Sequence, residues 1–212
     1  MYVKYPKTFH LPFSEGTTSD DRMITYEQMN EYFFGKHVVV SEKLDGEGTT
    51  MYFDHIHARS LDSLHHPSRT VVKQLHGQIA HNIPQDWRVC GENVYAKHSI
   101  LYEQLTAYFY VFNIWHNDVC LSWKQTKEWT ELLGLETVPI LYQGIWSEDA
   151  VKACWTGNSR FGGLQEGYVV RVVDEFHQVD FQKCVAKYVR KNHVQTSAHW
   201  MSEAVVPNVL RK

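Results

Sequence analysis

Apolar residues recur at the three- and four-residue spacing of an amphipathic helix in four stretches of the chain. Thr25 and Ser122 each stand three residues before a glutamine, which is the capping-box pattern at the start of a helix. Gly35 ends the stretch that begins at Thr25, and Gly134 ends the one that begins at Ser122. The pattern therefore predicts a helix at each of these two places. Two further helices are predicted, one between Ser147 and Gly157 and one between Pro67 and Pro84.

Most of the remaining sequence is rich in β-branched and aromatic residues, which predicts strands. The predicted strands are residues 38–43, 49–53, 56–60, 88–92, 108–115, 119–123, 137–142, 167–173 and 184–189. The pairs Asp54 with His55 and Asn117 with Asp118 are typical of hairpin turns, which join antiparallel strands. The expected fold class is therefore α+β, with mainly antiparallel sheets flanked by helices.

The composition is that of a globular protein, because 43% of the 212 residues are apolar and 21% are charged. Apolar runs such as residues 38–40 are far shorter than the roughly 20 residues of a membrane span, and the N-terminus has no apolar signal region. We therefore expect a cytoplasmic protein without membrane contact. No repeat or linker divides the sequence, which predicts a single domain over residues 1–212.

Charge is unevenly distributed along the chain. The net charge is −3, yet residues 181–212 contain six lysines and arginines and a single acidic residue. A short basic C-terminal tail over about 181–212 would suit contact with a polyanion such as a nucleic-acid backbone. A solvated tail without a partner explains the same charges, so the pattern leaves both interpretations open.

Residues 41–48 read Ser-Glu-Lys-Leu-Asp-Gly-Glu-Gly and directly follow a predicted buried strand. The glycines let the backbone approach a ligand closely, and the strand fixes and partly desolvates the stem of Lys43. A desolvated lysine near other cations has a lowered pKa, so we expect Lys43 to be nucleophilic. The alternative is a surface lysine at a hairpin.

This segment resembles the first motif, Lys-x-Asp-Gly, of the covalent nucleotidyltransferase superfamily, which comprises polynucleotide ligases and mRNA capping enzymes. Segments similar to the later motifs follow in the same order at residues 90–93, 108–114, 165–171 and 185–190. The Glu-Gly-Tyr-Val sequence of residues 166–169 and the opening residues 5–12 are similar to the ATP-dependent RNA ligases of the phage and editing branch. The resemblance implies the nucleotidyltransferase (adenylylation) fold.

The resemblance also implies a reaction. Lys43 would attack the α-phosphorus of ATP, expel pyrophosphate and form a lysyl-AMP intermediate, after which AMP passes to an RNA 5′-phosphate and a 3′-hydroxyl displaces it. Lys187 and a divalent cation, Mg²⁺ with Mn²⁺ as an alternative, would stabilise charge at the α-phosphate. Because Mg²⁺ prefers oxygen ligands, Glu166 is the first candidate to hold it, with Glu92 and Asp45 as the next.

Individual roles follow from the same resemblance. Glu92 would hold the ribose hydroxyls, Phe112 would stack on the adenine, and Arg59 and Arg171 would reach phosphate or ribose. The catalytic set is Lys43, Lys187 and Glu166, and the expected nucleotide-binding residues are Glu42, Lys43, Asp45, Gly46, Arg59, Glu92, Phe112, Glu166, Arg171 and Lys187.

Several of these residues have purely structural alternatives. Phe112 alternates with Tyr110 and Ile114, which is also the pattern of a core residue, and Arg59 could be an ordinary surface residue. Glu92 could pair at a sheet edge. The order of the motifs favours the functional interpretation of the acidic residues.

The sequence departs from the motifs at two places. Asn113 stands where relatives often have aspartate, which removes a charge near the expected metal. The last motif lacks the frequent Lys-x-Lys pattern, and Arg190 or Lys191 could supply the second cation. Strand alternation places Arg190 opposite Lys187 and Lys191, so the pattern does not decide between them.

About 25 residues follow Lys187, which is too few for the OB-fold domain of DNA ligases and capping enzymes. RNA ends would then bind to the domain itself, to the tail or with the help of a partner protein. A GTP-dependent guanylyltransferase and a non-catalytic nucleotide- or RNA-binding module are the alternative functions, and DNA ends are not excluded.

Overall fold

The computed structural model describes residues 1–193 and 204–212, and the chain alternates between strands and short helices. In chain order the strands are β1 (Phe9–His10), β2 (His37–Lys43), β3 (Glu47–Met51), β4 (Ile56–Ala58), β5 (Trp87–Asn93), β6 (Phe109–His116), β7 (Val119–Cys120), β8 (Glu136–Thr137), β9 (Ile140–Ile145), β10 (Gly167–Val172), β11 (Phe176–His177) and β12 (Val185–Val189). The α-helices are α1 (Tyr26–Phe33), α2 (Thr70–Ile79), α3 (Trp123–Leu132), α4 (Glu148–Lys152) and α5 (Phe181–Cys184).

These strands form two sheets. The first has the order β1-β12-β10-β2-β9, and the second has the order β11-β7-β6-β5-β3-β4, with β8 added beside β6. Neighbouring strands are antiparallel except for the pairs β1 with β12 and β6 with β8. The mainly antiparallel α+β prediction is therefore confirmed.

The chain crosses from the first sheet to the second between β2 and β3, at residues 44–46. Apolar side chains from both sheets share a core, in which Val40 of β2 and Trp115 of β6 are fully buried. Burial of such side chains contributes about 1.5–3 kcal/mol each to folding. The crossover is thus held between two packed layers, and its residues have little freedom to move.

Two of the four predicted helices begin with the capping boxes that the sequence shows. The hydroxyls of Thr25 and Ser122 each accept a hydrogen bond from the backbone of the glutamine three residues on, and that glutamine side chain accepts one in return. The predicted helix after Pro67 begins with a 3-10 turn, Pro67–Arg69, before α2. The helix expected from Ser147 to Gly157 is shorter than predicted and ends at Lys152, because the chain turns there to bury Cys154.

Three strand predictions need correction. The strand expected over 119–123 ends at Cys120, because Ser122 caps α3. The single strand expected over 137–142 is two strands in different sheets, interrupted at Pro139, which lacks a backbone donor. The strand expected over 56–60 ends at Ala58, so Arg59 lies in the loop that follows.

The strand predicted over 184–189 is confirmed as β12, so the first part of the predicted basic tail over 181–212 belongs to the folded domain. Residues 181–189 form α5 and β12, and β12 lies inside the first sheet between β1 and β10. Residues 204–212 pack along the loop that follows β5, through backbone hydrogen bonds such as that from Lys97 to the Val206 carbonyl. Within the described ranges, no helix is both long and apolar enough to span a membrane.

The cap of α3 gives a test of the fold. We expect Ser122→Ala to lower the free energy of unfolding by about 1 kcal/mol, because the backbone amide of Gln125 loses its acceptor at the start of the helix. In a chain of this length the melting temperature would fall by roughly 2–4 °C. Thermal melting of Lys127→Ala, on the exposed face of the same helix, is the control, and equal melting of both variants would contradict the role of the cap.

Candidate active site

A cavity of about 610 Å³ lies between the two sheets beside the crossover. Nine of the ten residues predicted to bind the nucleotide line it, namely Glu42, Lys43, Gly46, Arg59, Glu92, Phe112, Glu166, Arg171 and Lys187. They come from β2, β5, β6, β10 and β12 and from residues that directly follow β2 and β4 or precede β10. The fold therefore brings together residues that are up to 145 positions apart in the chain.

Lys43 is the last residue of β2, where the strand leaves the core. The preceding residues 38–40 are buried, so the backbone position of the lysine is fixed. Gly46 follows in the turn, and a Cβ at this position would lie only 2.5 Å from the carbonyl oxygen of Asn93. Glycine is required there because the crossover runs directly against β5.

The ammonium of Lys43 donates to both carboxylate oxygens of Glu166, at 2.8 and 2.7 Å. The pairing of β2 with β10 sets this contact, since Gly167 lies opposite Lys43 in the ladder. Burial acts to lower the pKa of Lys43, but Glu166 and then Glu92 act in the other direction, and the pKa is raised. The expectation of a lowered pKa is therefore wrong, because the nearby carboxylates outweigh the effect of burial on the lysine.

Glu92 lies on β5, on the opposite side of the cavity from Glu166. Burial raises its pKa to about 8, and the nearby Glu166 and Asp45 add to the rise while Lys43 opposes it. Burial also raises the pKa of Glu166. Three carboxylates, those of Glu166, Glu92 and Asp45, thus act on the single amine of Lys43, and such a group of oxygen ligands suits a bound cation.

Asp45 stands just behind the cavity wall. One of its carboxylate oxygens, Oδ2, accepts from the backbone amides of Ser99 and Ile100 at 2.7 and 2.8 Å. Its own amide donates to the hydroxyl of Tyr102 at 2.8 Å. The loop after β5 therefore fixes Asp45, an interaction that the sequence did not reveal.

Lys187 lies on β12 with its ammonium 3.5 Å from Oδ1 of Asp21. The same oxygen lies 3.3 Å from Nε2 of the buried His10. Burial and the charge of Lys43 lower the pKa of Lys187, and Asp21 opposes them. Burial and Lys187 also lower the pKa of His10, to about 4, so this ring is neutral at pH 7.

Sequence reasoning missed His10 and Asp21 as partners of Lys187. The segment 5–12 was noted as similar to RNA ligases, but nothing in a single sequence shows that Asp21 folds back toward residue 187. The parallel pairing of β1 with β12, in which His10 lies opposite Lys187, creates the contact.

Phe112 is half-buried, with one side in the cavity and its edge against the ring of Tyr5, whose centroid is 5.1 Å away. Tyr110, two residues earlier, is fully buried. A ring that is partly open to a nucleotide-sized cavity is available for stacking on a base. The structure therefore offers a stacking surface at the position where the family resemblance places the adenine.

Arg171 differs from the prediction. Its guanidinium is buried and donates to Oδ1 of Asn113 at 2.7 Å and to the carbonyl of Leu121 at 2.8 Å. Asn113 in turn donates to the hydroxyl of Tyr5 at 2.5 Å. Because these protein groups occupy the guanidinium, Arg171 supports the cavity wall and is not placed to bind phosphate. Asn113, the residue that replaces aspartate, is part of this support.

The two remaining candidates, Arg59 and Glu42, differ in their exposure to solvent. Arg59 is exposed at the mouth of the cavity, where it can meet a second substrate. Glu42 is buried, and its Oε2 accepts from the amide of Arg160 at 3.0 Å. Its other oxygen, Oε1, is buried without a partner in the described part of the chain.

Neither Arg190 nor Lys191 is placed to replace the second lysine of the last motif. The guanidinium of Arg190 donates to the carbonyls of Lys191 and Asn192, and neither Arg190 nor Lys191 lines the cavity. His193 does line it. Trp200, a tryptophan beside the basic residues of the C-terminal segment and for that reason a candidate for stacking on a base, lies outside the described residues.

The residues around Lys43 suit a hard divalent cation. Glu166 and Glu92 face the cavity, and Asp45 is near enough to affect the charge of both. Among residues 1–193 and 204–212, no three metal-binding side chains are close enough to hold an ion by themselves. Mg²⁺ commonly retains several waters and shares its ligands with substrate phosphates, so the carboxylates present are sufficient.

Comparisons with known proteins agree with this site. The RNA ligase family model matches residues 36–189, from β2 to β12. The search of curated proteins found no match.

Among solved structures, a Naegleria gruberi RNA ligase mutant with ATP and Mn is 20% identical, with a TM-score of 0.56 over 88% of this chain and 58% of that chain. An apo mutant of that ligase is 19% identical, with a TM-score of 0.57 over 88% and 57%. A mutant with AMP and Mn is also 19% identical, with a TM-score of 0.55 over 88% and 57%. The chain thus spans less than two thirds of the structures that it matches, and at this identity the likeness shows the fold.

The raised pKa of Glu92 predicts a pH-dependent effect on stability. Between its ordinary pKa of 4.5 and about 8, the unfolded chain releases this proton and the folded protein retains it, so the folded state loses stability as the pH rises. Glu92→Gln removes that loss. In buffer without divalent cations we expect it to raise the melting temperature by about 2–6 °C at pH 8 and by much less at pH 5.

The matched control for this experiment is Glu131→Gln, at an exposed position of α3. It should change the melting temperature little at either pH. A gain for Glu92→Gln that is equal at pH 5 and pH 8 would show that the carboxyl is not held neutral by its surroundings.

Proposed function

The chain belongs to the RNA ligase family, and on this basis we propose that it is an ATP-dependent ligase that joins RNA 5′-phosphate and 3′-hydroxyl ends through a lysyl-AMP intermediate. The observation that carries the proposal is the position of Lys43. It lies in a nucleotide-sized cavity, hydrogen-bonded to Glu166, and Lys187 and Glu92 line the same cavity. The matched family model speaks against the guanylyltransferase alternative.

In the first step, the amine of Lys43 attacks the α-phosphorus of ATP, the bond to pyrophosphate breaks, and a phosphoramidate forms. The amine must first lose a proton, and Glu166 is the carboxylate within hydrogen-bond distance of it. Lys187 supplies positive charge where the phosphate oxygens gain negative charge. Mg²⁺ or Mn²⁺ held by Glu166, with Glu92 and Asp45, would neutralise these carboxylates and add positive charge beside the phosphate.

The nucleoside would lie between the two sheets. Phe112 would stack on the adenine and Glu92 would accept from the ribose hydroxyls, with Gly46 giving room at the crossover. Oε1 of Glu42 is a buried acceptor without a partner in the described residues. Such an acceptor suits an amine donor of a bound base, such as the exocyclic amine of adenine.

The second and third steps depend on RNA positioning. AMP would pass from Lys43 to the 5′-phosphate of one RNA end, and the 3′-hydroxyl of the other end would then displace it. Arg59 at the mouth of the cavity would hold the 5′-phosphate. Sealing needs the two ends aligned, which is chiefly a matter of orientation. A partner protein would assist this alignment if the chain alone holds the ends weakly.

Lys43→Ala tests the proposed nucleophile. With α-labelled ATP and Mg²⁺, we expect the unmodified protein to retain label through denaturing electrophoresis and the variant to retain none, because no amine remains to form the phosphoramidate. The variant should still seal a strand that is already adenylylated. Lys36→Ala, an exposed lysine just before β2, is the control and should be labelled normally.

Three outcomes would contradict the proposal. Label on Lys43→Ala would exclude Lys43 as the nucleophile. Label only from GTP would point to a capping-type guanylyltransferase. Tight ATP binding with no label on the unmodified protein would point to a non-catalytic binding module.

Arg59→Ala tests the binding of RNA. Self-labelling with ATP should change less than about twofold, because the side chain is exposed and the proposed first step does not use it. Transfer of AMP to a 5′-phosphorylated RNA should fall by about tenfold or more, as expected for loss of a charge-assisted hydrogen bond to phosphate. Lys124→Ala on α3 is the control. Equal loss in both steps would place Arg59 at the ATP and not at the RNA.

A further inference from the structure

The segment of residues 204–212 lies along the loop that connects β5 to β6. Isolated bridges pair Pro207 with Ala96 and Leu210 with Leu105. Further backbone bonds join Lys97 to the Val206 carbonyl at 2.8 Å. This segment, which we call the C-terminal strap, therefore follows the loop over most of its length.

Asn208 is the only described residue of the strap that is buried, with 1% of its surface exposed. Its side-chain amide donates to the Val94 carbonyl and its side-chain oxygen accepts from the Tyr102 amide, both at 2.8 Å. Its backbone amide donates to the Tyr95 carbonyl at 2.8 Å, and its carbonyl accepts from the hydroxyl of Tyr108 at 3.2 Å. One side chain thus joins the two ends of the segment 94–102.

The middle and the end of the same segment hold Asp45. The amides of Ser99 and Ile100 donate to its carboxylate, and the hydroxyl of Tyr102 accepts from its backbone amide. Asp45 is the aspartate of the Lys-x-Asp-Gly turn, two residues after Lys43. A loop of nine residues without regular structure has little order of its own, so its hold on Asp45 depends on what fixes its two ends.

We propose that Asn208 is a positioning residue for formation of lysyl-AMP, because it closes the loop 94–102 into the conformation that fixes Asp45. The inference rests on the proposed ligase function and extends it to the C-terminal strap. Asn208 does not line the cavity, so it acts through the loop and not on the nucleotide. The strap, expected from its charge to meet a polyanion or solvent, is then part of the support of the active site.

The experiment compares Asn208→Ala with Val209→Ala in the full chain. Val209 is the next residue of the strap and its side chain is about half exposed, so its truncation keeps the backbone contacts and removes no polar group. For each protein we would measure thermal melting, amide hydrogen exchange at Ser99 and Ile100, and the single-turnover rate of lysyl-AMP formation over a range of ATP concentrations.

We expect Asn208→Ala to melt cooperatively, to exchange the amides of Ser99 and Ile100 at least about tenfold faster, and to form lysyl-AMP about tenfold more slowly at saturating ATP. The ATP concentration for half-maximal rate should change less than the rate, because Asn208 does not contact the nucleotide. Val209→Ala should stay within about twofold of the unmodified protein in each measurement.

A folded Asn208→Ala whose exchange or saturating rate equals that of Val209→Ala would overturn the proposal. Faster exchange with an unchanged rate would overturn it too, since the order of the loop would then not matter for the reaction. If Asn208→Ala fails to melt cooperatively, Tyr102→Phe decides, because it removes only the hydroxyl that accepts from Asp45. This variant should also slow lysyl-AMP formation, and an unchanged rate would contradict the proposal.

Different results would contradict the proposed ligase function and the proposed role of Asn208. An unmodified protein that forms no lysyl-AMP would contradict the proposed function. The exchange of Ser99 and Ile100 does not require activity, so it decides separately whether Asn208 holds the loop.

Discussion

The pairing of a partly buried lysine with a buried carboxylate is the interaction on which the rest of the site depends. Lys43 donates to both oxygens of Glu166, whose charge outweighs the effect of burial, so the pKa of the amine is raised and the amine is held protonated. Removing one charge from such a pair leaves the other uncompensated, which costs several kcal/mol. The same carboxylate that holds the amine protonated is an oxygen ligand that would bind a divalent cation. The carboxylate beside Lys43 therefore affects both the protonation of the free amine and the binding of the cation that would assist its reaction.

The architecture explains why these charges can be kept together. The chain crosses between two packed sheets immediately after Lys43, and the ladder of β2 with β10 places Glu166 beside it. The parallel pair of β1 with β12 brings His10 and Asp21 to Lys187. Each charged side chain extends from a strand end or from a segment tied to one. Such fixed positions are what orientation-dependent phosphoryl chemistry requires.

Much of the fold and the site could be predicted from the sequence, since capping boxes, hairpin turns and the ordered motifs are local signals. Thr25 and Ser122 marked helix starts, and the residues of the motifs meet in one cavity. The features that could not be predicted depend on contacts between residues that are far apart in the sequence. The pKa of Lys43 is raised because Glu166 approaches from 123 residues away, and Arg171 faces Asn113 instead of the ligand. The apolar residues of 184–189 predict the strand that is observed there, whereas the charge count placed the same residues in a basic tail, because a charge count does not show that the segment pairs with β10.

The most direct test of the account is to locate the covalent adduct. The purified chain would be incubated with ATP and Mg²⁺, digested, and analysed by mass spectrometry for a peptide that carries one adenylyl group. We expect the modified residue to be Lys43, and we expect added pyrophosphate to remove the adenylyl group by reversing the reaction. An adduct on Lys187 or on any other residue, or tight binding of ATP with no adduct, would contradict it.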